Sequence, residues 1–450
     1  MTERFERRLE KLLRQLGRAI VEFTFGRVET EDRSHVPTRI EFQGESYRLN
    51  RQTNKNIDTR FGPVRVKRWF YQANTTGAAG MAPLDVRLGL VAGRMTPAVA
   101  EVTGRLLADM PQQATLETLQ QRFGITPGVG TLRRVTEDLG GRVRVHHDQA
   151  AVDKIVQWID QAEQSEGPGK PLFQVGRDGV FVQTRPFWEE ASCGTLAVYD
   201  RQRNRLGTVY LGQMPESGQP TMTSRLTHVI TQTLTQLDGD VPELRYVTDA
   251  GCHPQAFYHD VLQGMVHPVT GEPLSWSWGV DYYHACEYVS SLANSVFGSG
   301  DQAFAWAEKQ RRTMRDQRDG VQRVISRAAQ QKRRHGLSGT KKDYASAIGY
   351  LKKYRKHMDF AERRAAGEPI GSGITEAGCK VIFNQRMKQS GMRWNGTSGQ
   401  YIVDLRTAVR SRLWTTVWSR ILDDSPPLPP IAQRDHDTGS NNSRKKPLPR

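Results

Sequence analysis

The sequence predicts a multidomain α+β protein: a small basic β unit, a helical region, and an α/β core interrupted by an all-helical block. Three observations carry this expectation. Residues 38–72 alternate apolar and polar side chains around Gly44 and Gly62–Pro63, the period of short strands. From Pro171 onward, apolar strand-like runs alternate with amphipathic helical ones, as an α/β sheet requires. The 450 residues leave room for about three domains.

Charge narrows the function classes. A net charge of +16 and a pI near 9.8 point to a polyanionic partner, of which nucleic acid is the commonest. Between Gln302 and Ala366, 18 Lys+Arg face only 6 Asp+Glu. Trp306, Tyr344, Tyr350, Leu351, Tyr354 and Phe360 interleave with these cations, which argues against a merely solvated or disordered segment. No apolar run approaches the ~20 residues that span a bilayer. The opening MTERFERRLEKLLRQL is charged and has no secretory h-region, so a cytoplasmic setting without membrane is expected. Cys193, Cys252, Cys286 and Cys379 form no CxxC pair and are expected as reduced thiols. A zinc site from Cys252, His253, His284 and Cys286 matches no standard module spacing.

In chain order, residues 1–80 hold an amphipathic helix over 1–30 and the basic β unit, followed by a small-residue linker at Asn74–Met81. Residues 81–165 are helical, with helices expected at Pro97–Met110, Ala114–Phe123 and Thr131–Val143. The Gly-Ile-Thr-Pro-Gly break before Thr131 has the pattern of a helix-turn-helix, with a plain helical hairpin as the alternative. In the first case Arg133 and Arg134 open the recognition helix and meet DNA. Residues 166–299 supply strands at LFQVGRDGVFVQT, CGTLAVYDRQ, RLGTVYLGQM, ELRYVTD and LSWSWGV, with helices between and after them. The order β-β-β-α-β-(α)-β-α suits a mixed sheet of the ribonuclease-H type. Residues 300–366 form the basic helical insertion, where Arg311, Arg312, Lys332, Arg333 and Arg334 are candidate DNA contacts. Residues 367–423 return to the core. The Pro-, Ser- and charge-rich tail 424–450 is expected to be disordered.

The chemistry centres on Gly371–Trp394, GSGITEAGCKVIFNQRMKQSGMRW. A helix is expected from Ile374 to Ser390, with Glu376, Lys380 and Asn384 on one polar face. Ile374, Ala377 and Val381 fall on a second face, and Phe383 and Met387 on a third. Lys380, Lys388 and Arg393 offer cations to phosphates. Trp394 either stacks on a base or packs in the core. Asp178 lies in the first core strand and Asp249 ends the fourth. These two strands are neighbours in a ribonuclease-H sheet, and Glu376 brings a third carboxylate. Oxygen ligands without Cys or His suit Mg²⁺ or Mn²⁺. Two such ions ~3.5–4 Å apart can activate an attacking oxygen and stabilise the leaving one. Taken singly, each Asp is as well read as a turn former and Glu376 as a helix-dipole partner. Three in this order, inside a basic chain, favour chemistry.

Asp178 in GRDGV, Asp249 in VTDAG, Asp281-Tyr-Tyr-His284 and the block GSGITEAGCK…RMKQSGMRW together resemble DDE transposases of bacterial insertion sequences. The type resembled is ISKra, related to the Mutator-like group. The resemblance spans roughly residues 40–420, including PLDVRLGL and the Trp414–Trp418 end. It implies a ribonuclease-H-like catalytic core with a helical insertion before the Glu. It also implies cleavage at terminal inverted repeats, transfer of the ends to target DNA, and an oligomer of identical chains on that DNA, nucleoid-associated in a bacterial cell. Asp281 and His284 match the group's Asp-x-x-His signature. His284 stands one turn beyond Asp281, within reach of that carboxylate or of a phosphate, and is a candidate catalytic residue. Asp281 is the alternative to Asp249 as second acid. Many relatives carry a cysteine pair after the early β unit; YQANTTG has none, so no zinc is implied. A ribonuclease-H-fold nuclease without strand transfer and a non-catalytic DNA-binding regulator remain the alternatives.

Overall fold

A computed structural model describes residues 2–335, 342–424, 426, 428 and 429. The chain is α+β with two separate sheets, and it divides into two compact units, Met1–Asp138 with Asp424–Arg450, and Leu139–Asp423. The tail expected from 424 onward lies almost wholly outside the described residues.

The first unit opens with helix α1 (Thr2–Val28). An antiparallel meander follows: β1 (Arg39–Phe42), β2 (Glu45–Thr59) and β3 (Gly62–Ala73). Gly44 and Gly62 make its turns at positive φ, 79° and 111°, where a side chain would be strained. Val21, Phe25 and Val28 of α1 pack on Ile57, Val64 and Val66 of the sheet. Three helices come next: α2 (Pro83–Arg87), α3 (Pro97–Asp109) and α4 (Gln112–Phe123). Gly124 ends α4 in the left-handed region, and α5 (Val129–Glu163) begins five residues later, so the break expected before Thr131 is present. The sequence predicted the end of that helix near Val143. It continues to Glu163 because Ala150, Ala151, Ile155, Ile159 and Ala162 keep recurring at helical spacing on a buried side. The boundary between the two units falls inside α5.

The second unit is built on a five-stranded sheet. Its strands are β4 (Leu172–Gln183), β5 (Trp188–Tyr199), β6 (Arg205–Gln213), β7 (Glu243–Thr248) and β8 (Trp276–Val280), in the order β6-β5-β4-β7-β8. β4 pairs antiparallel with β5 and parallel with β7, as the sequence required of the first and fourth core strands. Helix α6 (Pro220–Thr235) covers one face, where Met222 and Leu226 approach Gly194. Helix α7 (Cys252–Phe257) follows β7, and α8 (Tyr282–Phe297) follows β8. The basic insertion folds as α9 (Asp301–Asp316), α10 (Gly320–Arg334), α11 (Lys342–Tyr354) and the short α12 (Phe360–Ala365).

The chain then returns to the opposite face of the sheet through α13 (Gly373–Gly378), a π-helical segment (Cys379–Asn384), α14 (Gln385–Met387) and α15 (Gly396–Arg410), and closes with α16 (Trp414–Asp423). The single α-helix expected over Ile374–Ser390 is therefore interrupted by a wider turn. This turn shifts the buried face. Cys379, Ile382, Phe383 and Met387 enter the core, while Ala377, expected on an apolar face, is exposed. Among the described residues, no helix is long and apolar enough to cross a membrane.

Candidate active site at the ends of the parallel strands

β4 and β7 run side by side with Gly176 opposite Val247. Their pairing ends there, with Asp178 two residues further along β4 and Asp249 the first residue beyond β7. Side chains alternate along a strand, so the face Asp178 points to follows from its partner. It pairs with Cys193 of β5, which lies on the face covered by α13 and the π segment.

Small side chains bring that helix down onto the sheet. A Cβ on Gly176 would stand 2.1 Å from Thr375 Oγ1, and one on Gly378 would stand 2.9 Å from Cys193 Sγ. Thr375 and Thr195 share a hydrogen bond of 2.8 Å between helix and sheet. One turn later, the Cys379 thiol donates to Asp178 Oδ2 at 3.6 Å. The helix carrying Glu376 is thereby anchored beside Asp178. The contacts of Gly176 with Thr375 and of Gly378 with Cys193 join segments far apart in the sequence.

Charge ties the three carboxylates together. Burial first, then the negative charge of Asp249 and more weakly that of Glu376, pushes the Asp178 carboxyl up from its ordinary value to about 6. The Gly179 N–H, donating to Oδ1 at 2.7 Å, and the Cys379 thiol pull the other way. Asp178 is thus a largely buried carboxylate with two others nearby.

Asp249 sits in the turn leaving β7, where Ala250 is held at φ 66°. Its Oδ1 accepts the Gly251 N–H at 2.9 Å. Its carbonyl accepts the Tyr350 hydroxyl at 2.9 Å, and the Tyr354 hydroxyl bonds Gln255 Oε1 at 2.7 Å. Both tyrosines belong to α11, so the insertion grips the turn that carries this acid.

Glu376 is exposed, with the Ser372 hydroxyl 3.5 Å from Oε1. It lines an open groove of about 560 Å³ with Gly373, Ala377, Lys380, Asn384 and Gln385. The polar face of Glu376, Lys380 and Asn384 expected from their spacing is the wall of this groove.

Asp281, the alternative second acid, is fully buried. Its Oδ1 caps α8 by accepting the His284 N–H at 2.6 Å, and its Oδ2 accepts the Ser372 N–H. It is a tie between the start of α8 and the turn ahead of Glu376, which favours Asp249 as the second acid. His284 is joined to Asp281 through its main chain rather than its ring. The ring's Nδ1 lies 3.2 Å from Glu287 Oε2, and its faces meet Tyr288 and Tyr350 edge-on. It therefore adjoins the Asp249 clamp without touching a carboxylate of the site.

The expected DNA contacts divide. Arg133, Arg134, Arg312, Arg333, Arg334, Lys380, Lys388 and Arg393 are exposed. Lys332 lies over the Tyr344 ring at 5.1 Å. Arg311 is engaged within the fold, bonded to Glu308 and to Ser290 of α8, because α9 and α8 pack closely there. Trp394 is half-buried, its indole N–H donating to the Met387 carbonyl at 2.9 Å and its ring packed on the core, with Arg386 5.2 Å from its centre. Its place is core packing rather than a free stacking platform.

Among the described residues, no group of three or more His, Cys, Asp and Glu side chains is drawn together into a metal cage, neither the Cys252–His253–His284–Cys286 set nor the three carboxylates. All four cysteines are free thiols. The carboxylates at Asp178, Asp249 and Glu376 still fit a hard divalent cation in donor chemistry, and the raised Asp178 carboxyl marks the local demand for positive charge. No family model matches the chain, and no curated protein matches it.

Proposed function

We propose that this chain is a DNA-cleaving and strand-transferring enzyme, a transposase of the insertion-sequence type, working from a ribonuclease-H-like core. The observation that carries the proposal is the nearness of Asp178, midway along β4, to Asp249, just past the end of the neighbouring parallel β7, with the Glu376 helix packed against Asp178 on the same face. The sheet order, with the first strand between the second and fourth, supports the ribonuclease-H-like reading.

Asp178, Asp249 and Glu376 would hold Mg²⁺ or Mn²⁺, which when bound supplies charge neutralisation for a phosphodiester and acidity for the oxygen that attacks it. The chain's own groups do the rest. Tyr350 fixes the Asp249 turn, and the Asp281–Ser372 tie fixes the start of the Glu376 helix. Lys380, on the groove wall beside Glu376, faces the anionic backbone of a bound strand. The net positive insertion holds terminal-repeat or target DNA by phosphate contacts, which position a duplex without reading its sequence.

The test uses purified full-length protein, Mg²⁺, and labelled duplex carrying the sequence that flanks the gene. Nicking at a fixed site and joining of the 3′ end to a second duplex are expected. Both should vanish in Asp178→Asn, Asp249→Asn and Glu376→Gln while gel-shift binding persists. Nicking without joining on pre-cut ends returns the nuclease reading; binding with no nicking in the unaltered protein returns the regulator.

A further inference from the structure

Helix α1 has two apolar sides. One lies on the meander through Val21, Phe25 and Val28. The other, on the far side, runs along Phe5, Leu9, Leu12, Leu16, Ala19 and Phe23, spaced four, three, four, three and four residues apart. That spacing is a seven-residue repeat, the seam of a two-helix coiled coil. No residue of α1 is buried, and Phe5, Leu12, Leu16 and Phe23 are 64, 55, 59 and 65% exposed. A continuous apolar seam of this kind on a charged helix is built to be covered.

We propose that the seam docks antiparallel on the same seam of a second copy of this chain. The charges choose both the occupant and the direction. Within α1, Arg7 pairs with Glu3 and Arg14 with Glu10. Arg8 and Glu22 have no ion-pair partner among the described residues. Each stands three residues after one seam residue and one before the next, Arg8 between Phe5 and Leu9 and Glu22 between Ala19 and Phe23, which is the flanking position that reaches across to a neighbouring helix. With Phe5 set opposite Phe23 of the second copy, Arg8 falls beside Glu22 of that copy, and the two-fold axis repeats the pair. The same register stacks Leu12 on Leu16 and places Leu9 against the small Ala19. A parallel pairing would instead bring the Arg4, Arg7 and Arg8 clusters of two copies together and align the helix dipoles. A membrane surface fits less well, because Glu6 and Glu22 flank the seam where an anionic headgroup layer would meet them. The inference stands apart from the chemistry proposed above.

The experiment is light scattering and sedimentation of the full chain over a concentration series. A dimer is expected, and Leu12→Glu/Leu16→Glu should weaken it by at least about a hundredfold. Both positions are exposed, so circular dichroism should be unchanged. Arg8→Glu alone and Glu22→Arg alone should each weaken dimerisation about tenfold, and the double swap Arg8→Glu/Glu22→Arg should restore it. A chain that stays monomeric throughout overturns the proposal, as does a dimer indifferent to Leu12→Glu/Leu16→Glu. Rescue of Glu22→Arg by Arg27→Glu in place of Arg8→Glu overturns the antiparallel register. Seam-dependent binding to phosphatidylglycerol vesicles by a monomeric chain assigns the seam to a membrane and also overturns it.

Discussion

Replacing Asp178 by Asn should make the protein more stable and inactive at once. The unaltered carboxyl rises from 3.8 to about 6 through burial first, then through the charges of Asp249 and Glu376. The sign follows from linkage. The folded state binds this proton more tightly than the unfolded chain does, so stability falls as pH climbs from about 4 to beyond about 6. At pH 8 the ionised group costs the fold as much as ~3 kcal/mol, at ~1.4 kcal/mol per pH unit. Asn carries no charge and removes that cost. In EDTA at pH 8 the Asn variant should melt about 5 °C higher than the unaltered protein. At pH 4, where Asp178 is protonated in the fold, the gap should close. Millimolar Mg²⁺ should raise the melting point of the unaltered protein and leave the variant nearly where it was, because only the unaltered site gains a ligand. Asp249→Asn should give a smaller gain, and the double variant less than the sum, since the two acids interact. Calorimetry at pH 4 and 8, with and without Mg²⁺, reads all of this. Equal melting points for both proteins at pH 8 in EDTA would refute the account of three crowded carboxylates.

Three further outcomes are expected. Tyr350→Phe removes the hydroxyl that holds the Asp249 carbonyl, and cleavage should fall roughly tenfold at unchanged DNA affinity, about the worth of one well-placed hydrogen bond; unchanged turnover would show the clamp to be idle. Neutralising Arg312, Lys332, Arg333 and Arg334 together should flatten the dependence of log affinity on log salt by about 0.9 for each phosphate that is no longer neutralised, measured by fluorescence anisotropy. Arg225→Leu should destabilise the second unit by about 3 kcal/mol in urea, because it strands the half-buried Asp148, whose Oδ2 receives the N–H of buried Arg225 Nε at 2.9 Å. Burial alone would raise the Asp148 carboxyl, but the Arg225 guanidinium outweighs it and holds the group far below the carboxylate range. That contribution is present above about pH 4 and fades as pH falls through the depressed value, so the loss should shrink in acid.

Asp178 and Asp249 were legible in the sequence because strand alternation and turn chemistry are local, and two apolar strands each presented one acid. The polar face at Glu376, Lys380 and Asn384 was legible for the same reason. The closeness of the helix to the sheet was not. It depends on what meets Gly176 and Gly378, and their neighbours Thr375 and Cys193 lie some two hundred residues away along the chain. The π turn was hidden too, since apolar spacing alone does not reveal one extra residue in a turn. Asp281 shows the limit well. Its cap on the His284 N–H follows from spacing, whereas its second bond, to Ser372, joins residues 91 apart. Arg311 looked like any other cation in a basic block until its partners on α8 and α9 came into view.

The grip of Tyr350 and Tyr354 on the Asp249–Gln255 segment has a consequence for modularity. An insertion is commonly imagined as a cassette, spliced into a host fold and removable from it. Here the cassette holds part of the host. Shortening the chain between α10 and α11 leaves both tyrosines in place, whereas excising the whole of 300–366 takes away the clamp and frees the turn that presents an acid. Length should therefore vary more freely away from Tyr350 than beside it. A graft of this arm onto another sheet would need a matching turn to grasp.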